Sequence, residues 1–413
     1  MNAHLNALRM IRSTVSELRG EGRGWAIIAV AMGWFLVVGM MLTLPALLPR
    51  IKAEFALTNT SAGVAVTVLW LVYGGFQFPA GLLTDRLGER RMLLGSMAVG
   101  TGVTVLFVLA PSFLVFVVTC GLLGVVGGLF ATPRITLLSR LFPDRSGTAI
   151  GAVMSFGNVG AAVLPAAAGL IAAAVGWRLG FGVAIPVFIA AFLAVWFSIG
   201  RLDPATEVDT ADDAGDDLSL RETLPRVVQA LKTREILLVT AGVTLTFFTF
   251  QGLTAFLTTY LTTMKGISDG IAATLFGGLF ALAAIAQPVA GRVADGIGER
   301  FVLVGITGLY AVLLVLLVAF DTFWAIVGLV VLLGTQRGAT PVATSYLTAT
   351  LPADIRGSGY GLLRTIFTGV ASSAAVVVGV LADADRFDTA FLLLAGLAVL
   401  ATGCFFLLPD EGP

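Results

Sequence analysis

The sequence is short of the side chains that do chemistry. It has one histidine and two cysteines among 413 residues. His4 lies in the leading segment, and Cys120 and Cys404 each lie inside an apolar run. No His/Cys/carboxylate cluster is formed, which argues against a metal centre, a disulfide framework or a nucleophilic triad. No cofactor and no enzymatic activity are expected. Charge is scarce as well: 12% of the residues are charged, against about 25% in an ordinary soluble domain. Basic and acidic residues balance at 25 each, so no overall positive field is available to attract nucleic acid. Three of the bases are lysine (Lys52, Lys232 and Lys265) and the others are arginine.

Apolar residues are abundant, at 57% of the chain, and the mean hydropathy is +0.97. A water-exposed surface of this size does not tolerate such a composition. The 49 glycines suit helices that pack closely within a membrane. A bilayer-crossing helix needs about 20 mostly apolar residues. Six such runs fall near 25–49, 60–83, 92–110, 113–139, 148–174 and 180–200. Six more fall near 235–261, 270–293, 301–319, 322–348, 358–381 and 389–408. The expectation is an all-α membrane protein with twelve transmembrane helices in two pseudo-symmetric six-helix bundles, 25–200 and 235–408.

Three polar segments complete the organisation. Residues 1–24 carry no cleavage site after a short apolar core, so a cleaved signal peptide is not expected. Leu5, Leu8, Ile11, Val15 and Leu18 recur at helical spacing there, as in a helix lying at the membrane surface. Residues 201–234 form an acidic linker, with seven acids and no base between Asp203 and Asp217. Residues 409–413 are a short tail. Placing the N-terminus in the cytoplasm puts 17 bases in inside segments and five (Arg50, Lys52, Arg178, Lys265 and Arg386) in outside segments. That asymmetry places both termini in the cytoplasm.

A motif repeats between the halves. After the second span the chain reads Gly81-Leu-Leu-Thr-Asp85-Arg86-Leu-Gly88-Glu89-Arg90, and after the eighth Gly291-Arg-Val-Ala-Asp295-Gly-Ile-Gly298-Glu299-Arg300. The shared spacing G-x-x-x-D-x-x-G-E-R marks an internal repeat. These turns, together with the twelve-span layout and its central linker, resemble the major facilitator superfamily over nearly the whole chain. Glu89 and Glu299 stand where that family usually has a basic residue.

The resemblance implies a transporter in which two bundles rock about a midplane site. It also implies that Asp85 faces the start of span eleven and Asp295 the start of span five, with Arg86 and Arg90 pairing across the seam. Such contacts exist only when the motif side is closed. Gly151, Gly160, Pro165 and Gly169 in span five match four positions of that family's antiporter pattern, with Leu164 and Ala168 replacing two glycines. Close helix packing is the plainer reading of these small residues. Cys120-Gly-Leu-Leu-Gly124 opens span four with a cysteine where the family has an arginine associated with proton transfer.

Three arginines fall inside spans: Arg134, Arg337 and Arg364. Each opposes insertion by about 2.5–3.5 kcal/mol, so such residues are expected to face water and a partner. No Asp or Glu lies mid-span, so positive charge exceeds negative charge in the membrane interior. The planar guanidinium fork suits carboxylate or phosphate. Arg337, Arg134 and Arg364, with Gln251 and Gln336, are therefore the candidate substrate-binding residues. Trp34, Trp70 and Tyr360 are candidates to pack on a ligand or, more commonly for membrane aromatics, on lipid and core. Gln77 and Gln287, each four residues before the motif glycine, read as structural.

The expected function is alternating-access transport of a small solute, preferably an organic anion, by a monomer in the cytoplasmic membrane. A proton-coupled efflux antiporter for hydrophobic or cationic compounds is the rival, and a non-transporting membrane sensor is the reading from another class. The lipid bilayer and the solute are the only partners implied.

Overall fold

The computed structural model describes residues 23–199, 229, 233–352 and 356–409. The surface helix expected before residue 23, most of the 201–234 linker and the final residues 410–413 lie outside the described residues. Among the described residues, twelve helical spans are long and apolar enough to cross a membrane. In the first bundle they are α1 (Arg23–Phe55), α2 (Asn59–Leu87), α3 (Glu89–Leu109), α4 (Phe113–Leu141) and α5 (Ser146–Val175). α6 runs as two pieces, Trp177–Gly182 and Ala184–Ile199. In the second they are α7 (Arg234–Thr263), α8 (Asp269–Ile297) and α9 (Glu299–Ala319). α10 is Phe323–Leu333, a 3-10 stretch Gly334–Gly338 and Ala339–Thr350. α11 is Arg356–Ser372 followed by Ala374–Asp383, and α12 is Phe387–Phe406.

The repeated motif is a helix–helix joint one residue long. α2 ends at Leu87 and α3 starts at Glu89; α8 ends at Ile297 and α9 starts at Glu299. The single residue between each pair reverses the chain with φ 78° and ψ 153° at Gly88, and φ 92° and ψ 146° at Gly298. A side chain is strained in that region by about 1–3 kcal/mol, which is why glycine stands there. The same glycine N–H closes the preceding helix, Gly88 on the Thr84 carbonyl at 2.8 Å and Gly298 on the Ala294 carbonyl at 2.9 Å. Glu89 and Glu299 then open the next helix, where a carboxylate favours the positive end of the helix dipole.

The bundles meet along α2–α11, α5–α8 and α1–α7. On the side away from the motif the backbones nearly touch: a Cβ on Gly63 of α2 would lie 2.5 Å from the Ala375 carbonyl of α11, and one on Gly277 of α8 would strike the Ala162 carbonyl of α5. Proline supplies a further tie. Pro49 has no N–H to give the Pro45 carbonyl one turn back, so that oxygen is left open inside α1. Thr258 of α7 donates to it at 2.6 Å, across the two bundles. Moving toward the motif side, the α5–α8 seam carries the amide pair Asn158 Nδ2 to Gln287 Oε1 at 2.8 Å. Beyond that level Gly147, Gly151 and Gly291 face open space and Met154 is exposed. The molecule is closed on the far side and open on the motif side.

Replacing Gly88 or Gly298 with alanine is expected to lower stability by ~1–3 kcal/mol. Gly291→Ala, within a helix and facing open space, is expected to be neutral or slightly stabilising. Thermal unfolding of the purified variants in detergent distinguishes the joints from the helical glycine.

Candidate functional site

Arg337 is presented by the irregular middle of α10. Gly334 packs onto the Leu279 carbonyl of α8, and a Cβ on Gly338 would lie 2.9 Å from Ala290 Cβ. These close approaches bring α10 onto α8, and between them the helix tightens to the 3-10 form, which often marks a functional hinge. The half-buried Arg337 sits with its guanidinium carbon 5.1 Å from the centre of the Phe250 ring of α7. Its Nε has no hydrogen-bond partner. The neighbouring Gln336 is buried and donates from Nε2 to the Thr246 carbonyl of α7 at 3.1 Å, leaving its Oε1 unsatisfied. Gln251 of α7 likewise has an unsatisfied Nε2.

Arg134 occupies the corresponding helix of the first bundle, α4. It is 4% exposed, and its guanidinium carbon lies 3.5 Å from the centre of the Trp34 ring of α1. Trp34 is stacked on Phe130 at 6.2 Å with 13° between planes, and it fits because Gly157 of α5 presents no side chain to its indole. One terminal nitrogen of Arg134 is buried without a partner. Arg364, half-buried in α11, has no hydrogen bond or ion pair among the described residues. Arg134 lies within electrostatic reach of Arg364 and Tyr73, and Arg337 within reach of Tyr73. Among the described residues none of the three arginines is tied off by a backbone oxygen, and no Asp or Glu lies mid-span.

Trp34 belonged to the candidate aromatics, but Phe250 and Tyr73 were not singled out from the sequence. Tyr73 on α2 stands edge-on to Trp70 at 5.6 Å, and α4 approaches it through Gly124 and Gly127. The signal for Tyr73 in the sequence is the close glycine spacing of α4, which marks a face that a neighbouring helix approaches closely; Phe250 has no such signal.

With the motif side open, the motif residues do not make the cross-bundle pairing expected of the closed state. Asp85, Arg86 and Asp295 are exposed, and among the described residues none has a hydrogen-bond or salt-bridge partner. Arg90 does not reach across the seam: it donates to the Trp196 carbonyl at the end of α6 at 3.4 Å and lies 5.2 Å from the Trp196 ring. Arg300 does the same in the second bundle, donating to the Phe406 carbonyl at the end of α12 at 2.7 Å. A cation at a helix C-terminus satisfies an otherwise unpaired carbonyl and the negative end of the dipole, so each arginine ties the third span of its bundle to the sixth. Glu89, the departure from the family pattern, is buried and paired with Arg140 of α4 at 3.1 Å. A Cβ on Gly81 would make ordinary contact with Thr132 at 3.9 Å. In α5, Gly160 packs on the Phe35 backbone of α1 and Gly169 on Ala273 of α8, Pro165 is buried, and Gly151 faces open space.

An apolar groove of about 440 Å³ between α9 and α12, lined by residues such as Gly308, Ala311 and Gly396, lies on the outer surface of the second bundle and shares no residue with the arginine sites.

Comparison with known proteins agrees with this architecture. The Major Facilitator Superfamily profile matches residues 25–285 and 265–413, and the chain belongs to that family of membrane transporters, which is not enzymatic. Multidrug resistance protein MdtG of Escherichia coli (strain SMS-3-5 / SECEC) is 27% identical over 391 residues, covering 90% of this chain and 91% of that protein. MdtG of Citrobacter koseri is 26% identical over 384 residues, covering 89% and 91%. Among solved structures, a bacterial homolog of the human lysosomal transporter Spinster, inward-facing and unoccupied, superposes with a TM-score of 0.76 at 13% identity, covering 94% of this chain and 97% of that one. A variant of the nucleoside transporter NupG gives a TM-score of 0.75 at 12% identity, covering 92% and 98%.

The burial of Arg134 has a measurable consequence. A mid-membrane arginine costs about 2.5–3.5 kcal/mol, of which a desolvated cation–π contact returns about 2 kcal/mol. Arg134→Met keeps the volume and removes the charge, so it is expected to raise stability by ~1 kcal/mol in unfolding without added solute. Arg90→Met, which strips a carbonyl of its donor, is expected to lower it.

Proposed function

We propose that this chain exports small amphiphilic organic anions across the cytoplasmic membrane by alternating access, with both termini and the repeated motif on the cytoplasmic side. The motif-side opening is then the inward-open state. The observation that carries this reading is the pair Arg134 and Arg337, one from each bundle, each with an unsatisfied nitrogen and no carboxylate beside it. A solute carboxylate or phosphate supplies what both lack, and bidentate geometry makes arginine suited to it. Trp34 and Phe250 beneath the guanidinium groups favour a solute with an apolar or aromatic body. Gln251 and Gln336 add a free donor and a free acceptor. Arg364 of α11 is a further cation within electrostatic reach of Arg134.

The rival reading, proton-driven efflux of hydrophobic or cationic compounds, draws support from the multidrug resistance proteins to which the chain is similar. Against a cationic cargo stands the unneutralised positive charge. Against proton coupling through the protein stands the absence of a mid-span carboxylate or histidine among the described residues, so coupling runs through the solute itself or a counter-anion.

Flux of a fluorescent organic anion in liposomes tests the proposal. Arg337→Ala is expected to lower flux at least about thirtyfold, equivalent to ~2 kcal/mol of lost recognition, with folding intact. Flux unchanged in that variant, together with protection of a pump-deleted host against cationic dyes, would transfer the assignment to the rival.

A further inference from the structure

The far side of the molecule is closed by two charged contacts that the cargo reading does not use. α2 and α11 are antiparallel neighbours, so the C-terminal end of α11 meets the N-terminal end of α2. There Asp383, the last residue of α11, accepts the backbone N–H groups of Asn59 at 2.6 Å and Thr60 at 2.8 Å, and the Thr60 hydroxyl at 2.6 Å. Thr58 accepts the next N–H, from Ser61, at 3.1 Å. Three of the four open donors of α2 are thus satisfied, two of them by a carboxylate from the other bundle. Lys52 of α1 donates to the Asn59 side chain and adds positive charge at the same point. On the second seam, Arg50 of α1 donates to the Ala172 carbonyl near the end of α5 at 2.8 Å, while its Nε lies 3.0 Å from Asp269 in the first turn of α8.

We infer that Asp383 and Arg50 are positioning residues of the transport cycle: they latch the two far-side seams while the motif side is open, and both contacts break each time the far side opens. The α2–α11 pair carries an acid near the C-terminal end of each helix, Asp383 on α11 and Asp85 on α2. In this state the first is engaged, and the second has no hydrogen-bond or salt-bridge partner among the described residues. Rocking the bundles separates Asp383 from Asn59 and Thr60 and brings Asp85 toward the opposite end of α11. One helix pair therefore holds a polar latch at either end, and closing one opens the other.

Far-side separation is read by pulsed electron spin resonance between labels attached through Pro111→Cys and Thr322→Cys, exposed loop positions in different bundles, with Cys120→Ala and Cys404→Ala. Asp383→Asn and Arg50→Gln are each expected to raise the ratio of open to closed far side about tenfold. Thr60→Ala, which leaves the carboxylate in place, gives a smaller shift in the same direction. Asp85→Asn gives the opposite shift. Asp321→Asn, whose partner Lys265 lies in the same bundle, leaves the distribution unchanged. Unaltered distributions in both Asp383→Asn and Arg50→Gln overturn the inference, as does an equal shift in Asp321→Asn. No solute is needed for the readout, so its outcome is independent of the cargo assignment.

Discussion

The contact of Arg134 with Trp34 sets much of the surrounding architecture. A dry guanidinium needs either an anion or a polarisable face, and α1 supplies the face 3.5 Å away. To keep the indole there, α5 gives up a side chain at Gly157 and α4 places Phe130 behind it. Thus α1, α4 and α5 are packed around one charge. The second bundle repeats the arrangement on equivalent helices, with Arg337 of α10 above Phe250 of α7. The two arginines do not occupy equivalent sequence positions, since Thr340-Pro341 matches Thr132-Pro133 and Arg337 precedes it. Each bundle therefore brings its charge to the middle of the molecule at its own depth.

Backbone carbonyls freed at helix ends and kinks supply the other contacts. Inside a bilayer an unsatisfied carbonyl has no water to turn to. The chain fills such oxygens with side chains from elsewhere: Thr258 on Pro45, Arg90 on Trp196, Arg300 on Phe406, and Thr67 on Ser372 at the break in α11. Those between α3 and α6, or α9 and α12, lie within a bundle and persist when the bundles move. Those between α1 and α7, or α2 and α11, lie across the seam, where the inferred rocking of the bundles would break them. The same chemistry thus gives rigid bundles and a breakable interface, according to which helices it joins.

Much of the fold was legible because each span must be apolar over its own length, a local property. All twelve runs correspond to helices, and the differences are at the ends: α1 continues through Arg50, Lys52 and Glu54 to Phe55 because a helix persists after its apolar stretch leaves the membrane. Arg134 and Arg337 stood out because charge in such a run is costly. Their surroundings were not legible. The 3-10 turn before Arg337 depends on how closely α8 approaches Gly334, and the partner of Arg90 is a carbonyl, which leaves no trace in residue type. Asp383 looked like any loop acid until α2 was placed beside it.

The same economy of charge bears on the cycle. Arg134 belongs to the first bundle and Arg364 to the second, and the two repel across the space between them. Water entering from the open motif side screens that repulsion; closing the motif side removes the water and strengthens it. A bound anion lying between the bundles reverses the sign of the interaction with both. On the proposed anion reading, the empty protein is held back from closing by its own cations, and an anionic solute lowers that barrier by occupying the position that disfavours closure. A cationic solute raises it. On that reading, the sign of the charge left uncompensated in the membrane selects both what binds and when the bundles move.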